Sequence, residues 1–142
     1  MTLKYFFLLA VFFTISGCSN SSGNQECDSN ECLKAQAYDN VMAVHDKLMA
    51  KISSISEFKG KIEERMNAEE DSLTIAGWHK LMENLDSADS AMWVWMRQFN
   101  PELDALTIEE ALDYLKEEQD NIDAVARNID EAIANAEKRL AD

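Results

Sequence analysis

Proline occurs once in 142 residues, glycine four times and histidine twice. So few breakers exclude collagen-like and proline-rich low-complexity chains, and 46% apolar residues exclude full disorder. Positive charge is also scarce. Thirteen Lys and Arg face 27 Asp and Glu, a net charge of -14. Phosphate backbones and anionic head groups repel such a chain, so a nucleic-acid partner is not expected. Missing too are a phosphate-binding glycine loop, a nucleophile elbow, a calcium loop, H-E-x-x-H and C-x-x-C-H. No reaction is legible, and the expected protein is not an enzyme.

No apolar run reaches the roughly 20 residues of a membrane-spanning helix. The longest is Tyr5 to Ile15, 11 residues preceded by Lys4. A basic start and a short apolar run form a secretory leader. Ile15-Ser16-Gly17-Cys18 follows at once. That small-small-Cys ending looks like a bacterial lipobox; an ordinary signal peptide with a chance cysteine is the competing account. The expected product loses residues 1–17 and carries covalent lipid, palmitate included, on Cys18. The mature chain then has 125 residues and a charge of -15, because Lys4 leaves with the leader. Each buried CH₂ contributes about 0.8 kcal/mol, so two or three acyl chains hold a protein to a membrane without a transmembrane helix. Ser19, in place of Asp, resembles a sorting signal for the outer membrane. The lack of an acidic run after Cys18 favours the side facing the periplasm.

Residues 18–30 form the expected tether. Ser19 to Gln25 is small, polar and aperiodic, a leash of about 15 Å by random-coil scaling. With Cys18 lipidated, Cys27 and Cys32 remain, and an oxidising compartment favours a disulfide between them. A redox or metal role is the alternative, but C-x4-C is not a thioredoxin spacing.

Residues 31–142 form the expected domain, an all-α, up-down-up antiparallel three-helix bundle. Its first stripe is Val41, Val44, Leu48, Ile52, Ile55, Ile62 and Met66, with a bend expected near 53–60, where Ser53, Ser54, Ser56 and Gly60 cluster. The second is Trp78, Leu81, Leu85, Ala88, Met92, Trp95 and Phe99, stopped by Asn100-Pro101. The third opens on a capping box, Thr107 to Glu110. It continues through Ile108, Leu112, Leu115, Ile122, Val125, Ile129, Ile133, Ala136 and Leu140, ending in three heptads that each start with Asn. Short breaks near 67–73 and 100–106 make neighbours antiparallel. A helical hairpin that forms a homodimer is the runner-up.

Three groups could carry chemistry. Met42, His45 and Met49 fall within roughly 60° on one helix face. Thioethers and an imidazole suit Cu(I), with Met82, Met92, Met96 or His79 as further ligands. A b-type haem is the other cofactor conceivable there, and plain core packing is the competing account. Trp93 and Trp95 cannot share a face, so one lies off the main seam. Asp89 and Gln119 lie within apolar stripes and could share a polar layer that fixes register; the alternative for Asp89 is a strained buried acid. Glu109, Glu110, Asp113, Glu117, Glu118, Asp120 and Asp123 read as solvated.

Tyr38 to Met49 and Ala91 to Phe99 resemble small lipoproteins of Bacteroidetes-type bacteria that carry the label "viral A-type inclusion protein". The likeness runs from about 38 to 140. A proline often follows the second Met of the first block in that family, where this chain has Ala50. The resemblance implies no viral function and no activity. It marks Met42, Val44, His45, Asp46 and Met49, with Trp95, Met96 and Arg97, as the place to look for a site. The expected function is therefore a lipid-anchored envelope protein with a protein partner. The second expectation is a periplasmic copper- or haem-binding bundle.

Overall fold

The computed structural model describes residues 29–142. The lipobox, Cys18 and Cys27 lie outside the described residues. Three helices follow in order: α1 Asn30–Ala68, α2 Ser72–Gln98 and α3 Ile108–Ala141. At 1.5 Å per residue they are about 58, 40 and 51 Å long. No strand occurs among the described residues. The two breaks are three and nine residues, so α2 runs back along α1, and α3 runs parallel to α1. All three helices touch each other, and α1 against α3 is the most extensive pairing. The bundle expected from the sequence is the fold observed.

Each helix starts where a side chain satisfies its free N–H groups. Ser29 Oγ accepts from Cys32 N at 3.2 Å, and Asp71 Oδ2 accepts from Thr74 N at 2.8 Å. The capping box of α3 is reciprocal: Glu110 N donates to Thr107 Oγ1 at 3.3 Å, and Thr107 N donates to Glu110 Oε2 at 2.8 Å. The α1–α2 turn has no glycine; Glu69 Oε1 accepts from Glu70 N and Asp71 N, each at 2.9 Å.

The core is a heptad lattice. Val41, Leu48, Ile55 and Ile62 recur every seven residues on α1 and are all buried. Trp78, Leu85 and Met92, with Ala88 and Trp95, do the same on α2, and Leu115, Ile122, Ile129 and Ala136 on α3. A strict seven-residue repeat keeps the seam facing its partners over the helix length. The centre of the α3 seam differs from the expected stripe. Ala111 and Ala132 are buried, whereas Ile108, Leu112, Ile133 and Leu140 are half-buried at the margins. The two alanines share a heptad register with Glu118, which lines the groove between α2 and α3. Helix α1 also runs unbroken through 53–60. The buried Ile55 within that stretch and Ile62 just after it outweigh the weak helix propensity of the serines and Gly60.

Candidate functional site

The 99–107 end of the bundle is built from rings. Phe99 stacks on Trp95 at 4.9 Å between centroids, and Tyr114 of α3 and Tyr38 of α1 flank it at 6.1 and 6.0 Å. Such pairs contribute roughly 0.5–1.5 kcal/mol beyond area burial. Asn100 ties the loop down: its N–H donates to Tyr114 Oη at 2.7 Å, and its Oδ1 accepts from Glu102 N at 3.0 Å. Leu103 plugs the end of the core at 6% exposure. Burial pushes the Tyr114 hydroxyl above the usual tyrosine value, against the lowering effect of the Asn100 N–H; the charges of Glu118 and Glu117 add to the rise.

Beside this ring cluster lies a cleft of about 220 Å³ between α1 and α2, with Tyr38, Met42 and His45 on one wall and Trp95, Met96, Phe99 and Pro101 on the other. The imidazole of His45 is 6.0 Å from the Trp95 ring. His45 Nδ1 is 2.9 Å from the Asp46 carboxylate, which fixes the orientation of the ring. Trp95 is only 5% exposed, and its Nε1 has no hydrogen-bond partner.

Of the expected Met42, His45 and Met49 set, the structure brings the first two together and replaces the third. Met49 shares their direction but sits two turns, about 10 Å, from Met42 along the axis, half-buried against the core. Met96, reaching the cleft from α2, takes the third place. Met92 is fully buried in the core and Met82 packs against it.

The expected Asp89–Gln119 layer is not assembled. Asp89 Oδ1 accepts from Trp93 Nε1 at 3.0 Å, one turn along its own helix. Its charge faces Lys59 of α1, whose ammonium it helps to raise. Gln119 Nε2 donates to Asp123 at 3.1 Å, on the α1–α3 groove with Ala37 and Asn40. Each thus serves a different groove. The polar group inside the α2–α3 seam is instead Glu118, expected to be solvated but only 9% exposed, accepting from Asn121 Nδ2 at 3.4 Å. Its position follows from the heptads, since 111, 118 and 132 share one register with the buried alanines. A charge in an apolar register is a signal that the surrounding run of acidic residues hides.

Trp93 is the tryptophan off the seam, 42% exposed beside Val94 at 41%. Cys32 is disulfide-bonded, and its expected partner Cys27 lies outside the described residues. Among the described residues no group of three His, Cys, Asp or Glu is placed to hold a metal ion. No protein-family model, curated protein or solved structure matches the chain.

Proposed function

We propose that this chain is a lipid-anchored bacterial envelope protein. Acyl chains on Cys18 hold it to the outer membrane, facing the periplasm, and the bundle is a non-enzymatic module that engages a protein partner. The observation that carries this is the order of Lys4, the apolar run 5–15 and Ile15-Ser16-Gly17-Cys18. Among the described residues no helix is long and apolar enough to cross a membrane, and the proposal needs none. Trp93 and Val94, adjacent and exposed on α2, supply the apolar contact, since aromatic side chains dominate interface energetics. An excess of 27 acidic over 13 basic residues selects a partner of positive charge and disfavours a second copy of this chain.

Labelled palmitate fed to the native host tests the anchor. Label on the wild-type chain, lost in Cys18→Ala, is the expected result, and globomycin should leave a labelled chain that still carries residues 1–17. An unlabelled chain of leaderless mass overturns it. Trp93→Ala should weaken crosslinking to the partner in the envelope while leaving the label in place; an adduct that joins only two copies of the chain assigns a homodimer instead.

A further inference from the structure

The cleft between α1 and α2 gathers donors that the interaction module does not use, and we infer that it is a binding site for a soft monovalent cation, Cu(I). Met42 and His45 from α1 and Met96 from α2 line one cavity of about 220 Å³. The two walls come from antiparallel helices, so the donors reach the space from opposite sides. Two thioethers and one imidazole are a poor set for Mg²⁺ and Ca²⁺, which want oxygen ligands, and for Zn²⁺, which wants three or four imidazole, thiolate or carboxylate ligands and here finds one. They suit Cu(I), a soft ion content with three neutral ligands.

Three further features of the cleft agree with that ion. First, the Asp46 carboxylate holds His45 Nδ1 at 2.9 Å. Metal-binding imidazoles are characteristically oriented through the ring nitrogen that does not ligate, which leaves Nε2 for the metal. Second, the Trp95 ring lies 6.0 Å from the imidazole and is itself 5% exposed. A desolvated indole face beside the donors attracts a cation that carries little hydration of its own. Third, Tyr38 and Phe99 complete a mostly apolar wall. Such a wall disfavours strongly hydrated ions and leaves a neutral-ligand site selective for charge +1. The donor set differs from the Met42, His45, Met49 pattern that one helix alone suggests, because only Met96 is level with the other two. The inference goes beyond the tethering proposal and does not depend on it.

Silver(I) is a redox-inert probe of the same ligand class. The full chain, purified in detergent with methyl-labelled methionine, is titrated with Ag(I) and then with Cu(I) under a chelator competitor. One equivalent of either ion should shift the Met42 and Met96 methyl resonances and leave Met49 and Met82 in place. The methyl readout is blind to silver held on cysteine sulfur. Met42→Ile and Met96→Ile should each abolish the shift at the remaining methionine, Met49→Ile should not, and Asp46→Asn should weaken binding about 10- to 100-fold. Circular dichroism checks that each variant is folded. If a methionine variant fails to fold, His45→Gln decides in its place: loss of the shift supports the site and retention overturns it. Shifts spread over all methionines, no shift at one equivalent, or a shift that survives in Met96→Ile also overturn the assignment.

Discussion

The aliphatic seam between α1 and α3 and the aromatic end around Phe99 are held by different means. Along the seam, Leu48, Ile55, Ile122 and Ile129 repeat at sevens, almost wholly excluded from water. At the other place, rings of four elements meet a histidine, two methionines and an unpaired indole N–H. Dense, regular packing supplies most of the stability, and the clefts that flank the α1–α3 seam are lined by no methionine or histidine. Rings of unequal shape cannot tile as well, and the cleft lies beside them. Stability and candidate chemistry are thus separated along one rod.

The sharpest break of that contrast is in the seam. Leu48→Ala and Ile122→Ala each delete methyl groups from sites that are 2% and 0% exposed. The expected cost is about 2–5 kcal/mol in urea unfolding, since helices of 39 and 34 residues cannot collapse around one cavity. A loss below 1 kcal/mol by the same measurement would mean that the seam is loosely packed.

At the aromatic end, Trp95→Phe should cost less, about 1 kcal/mol, although tryptophan is larger than leucine. The change shortens a ring in a cleft that already has free volume, and it removes a buried N–H without a partner, whose desolvation alone costs about 1–3 kcal/mol. Unfolding in urea with the Trp78 signal as reporter measures it. A cost equal to that of Leu48→Ala would reveal a partner for Nε1.

The contrast also explains what was legible in advance. Residues 41, 48, 55 and 62 follow one period, so the helices, their direction and most of the core could be read directly. The capping box was equally plain, because Thr107 and Glu110 interact within one turn. The cleft was half legible. Met42 and His45 are neighbours on one helix, but Met96 joins them through the meeting of two helices, which no local spacing encodes. The Asp89–Gln119 pairing failed for a related reason. Counting residues from the loop sets their height on the rod and says nothing of which groove each faces; Asp89 accepts from Trp93 on one side and Gln119 donates to Asp123 on another. Ser53 and Gly60 mislead in the opposite sense, because local propensity is weak against two buried isoleucines.

The cap that starts α3 joins the two regions, and Thr107→Ala should cost about 1 kcal/mol near neutral pH. Its pH dependence follows from Glu110, whose carboxyl is held below the ordinary glutamate value by the Thr107 N–H first and its hydroxyl second. A carboxyl depressed in the folded state stabilises the fold above its unfolded pKa and loses that contribution as pH falls through its folded value. The wild-type chain should therefore lose the cap's contribution on the acid side, and Glu110→Gln should flatten that part of a stability-against-pH curve more than Thr107→Ala, which keeps the backbone N–H. Asp71, lowered by Thr74, behaves in the same direction at the start of α2, so the flattening should be partial. Unchanged acid sensitivity in Glu110→Gln would remove Glu110 from the account.

The smallest effect is expected where the rod is most decorated. Lys59 Nζ donates to Asp86 between α1 and α2, and Lys51 to Asp130 between α1 and α3. Both pairs are substantially exposed, with lysine side chains at 31% and 42%. Solvent screens them, and exposed pairs contribute about 0–1 kcal/mol. The hydrogen bond to Asp86 raises the Lys59 ammonium above the ordinary lysine value of 10.5, with desolvation opposing it. A raised lysine stabilises the fold below its unfolded pKa and loses that contribution only as pH rises through the folded value. Lys59→Met should therefore shift urea stability at neutral pH by no more than about 0.5 kcal/mol, and less at high salt. A larger, salt-sensitive loss would move Lys59 from decoration to register: it would mean that the charge facing Asp86 and Asp89, and not the heptad lattice alone, sets the height of α2 against α1, and with it the position of Met96 opposite Met42.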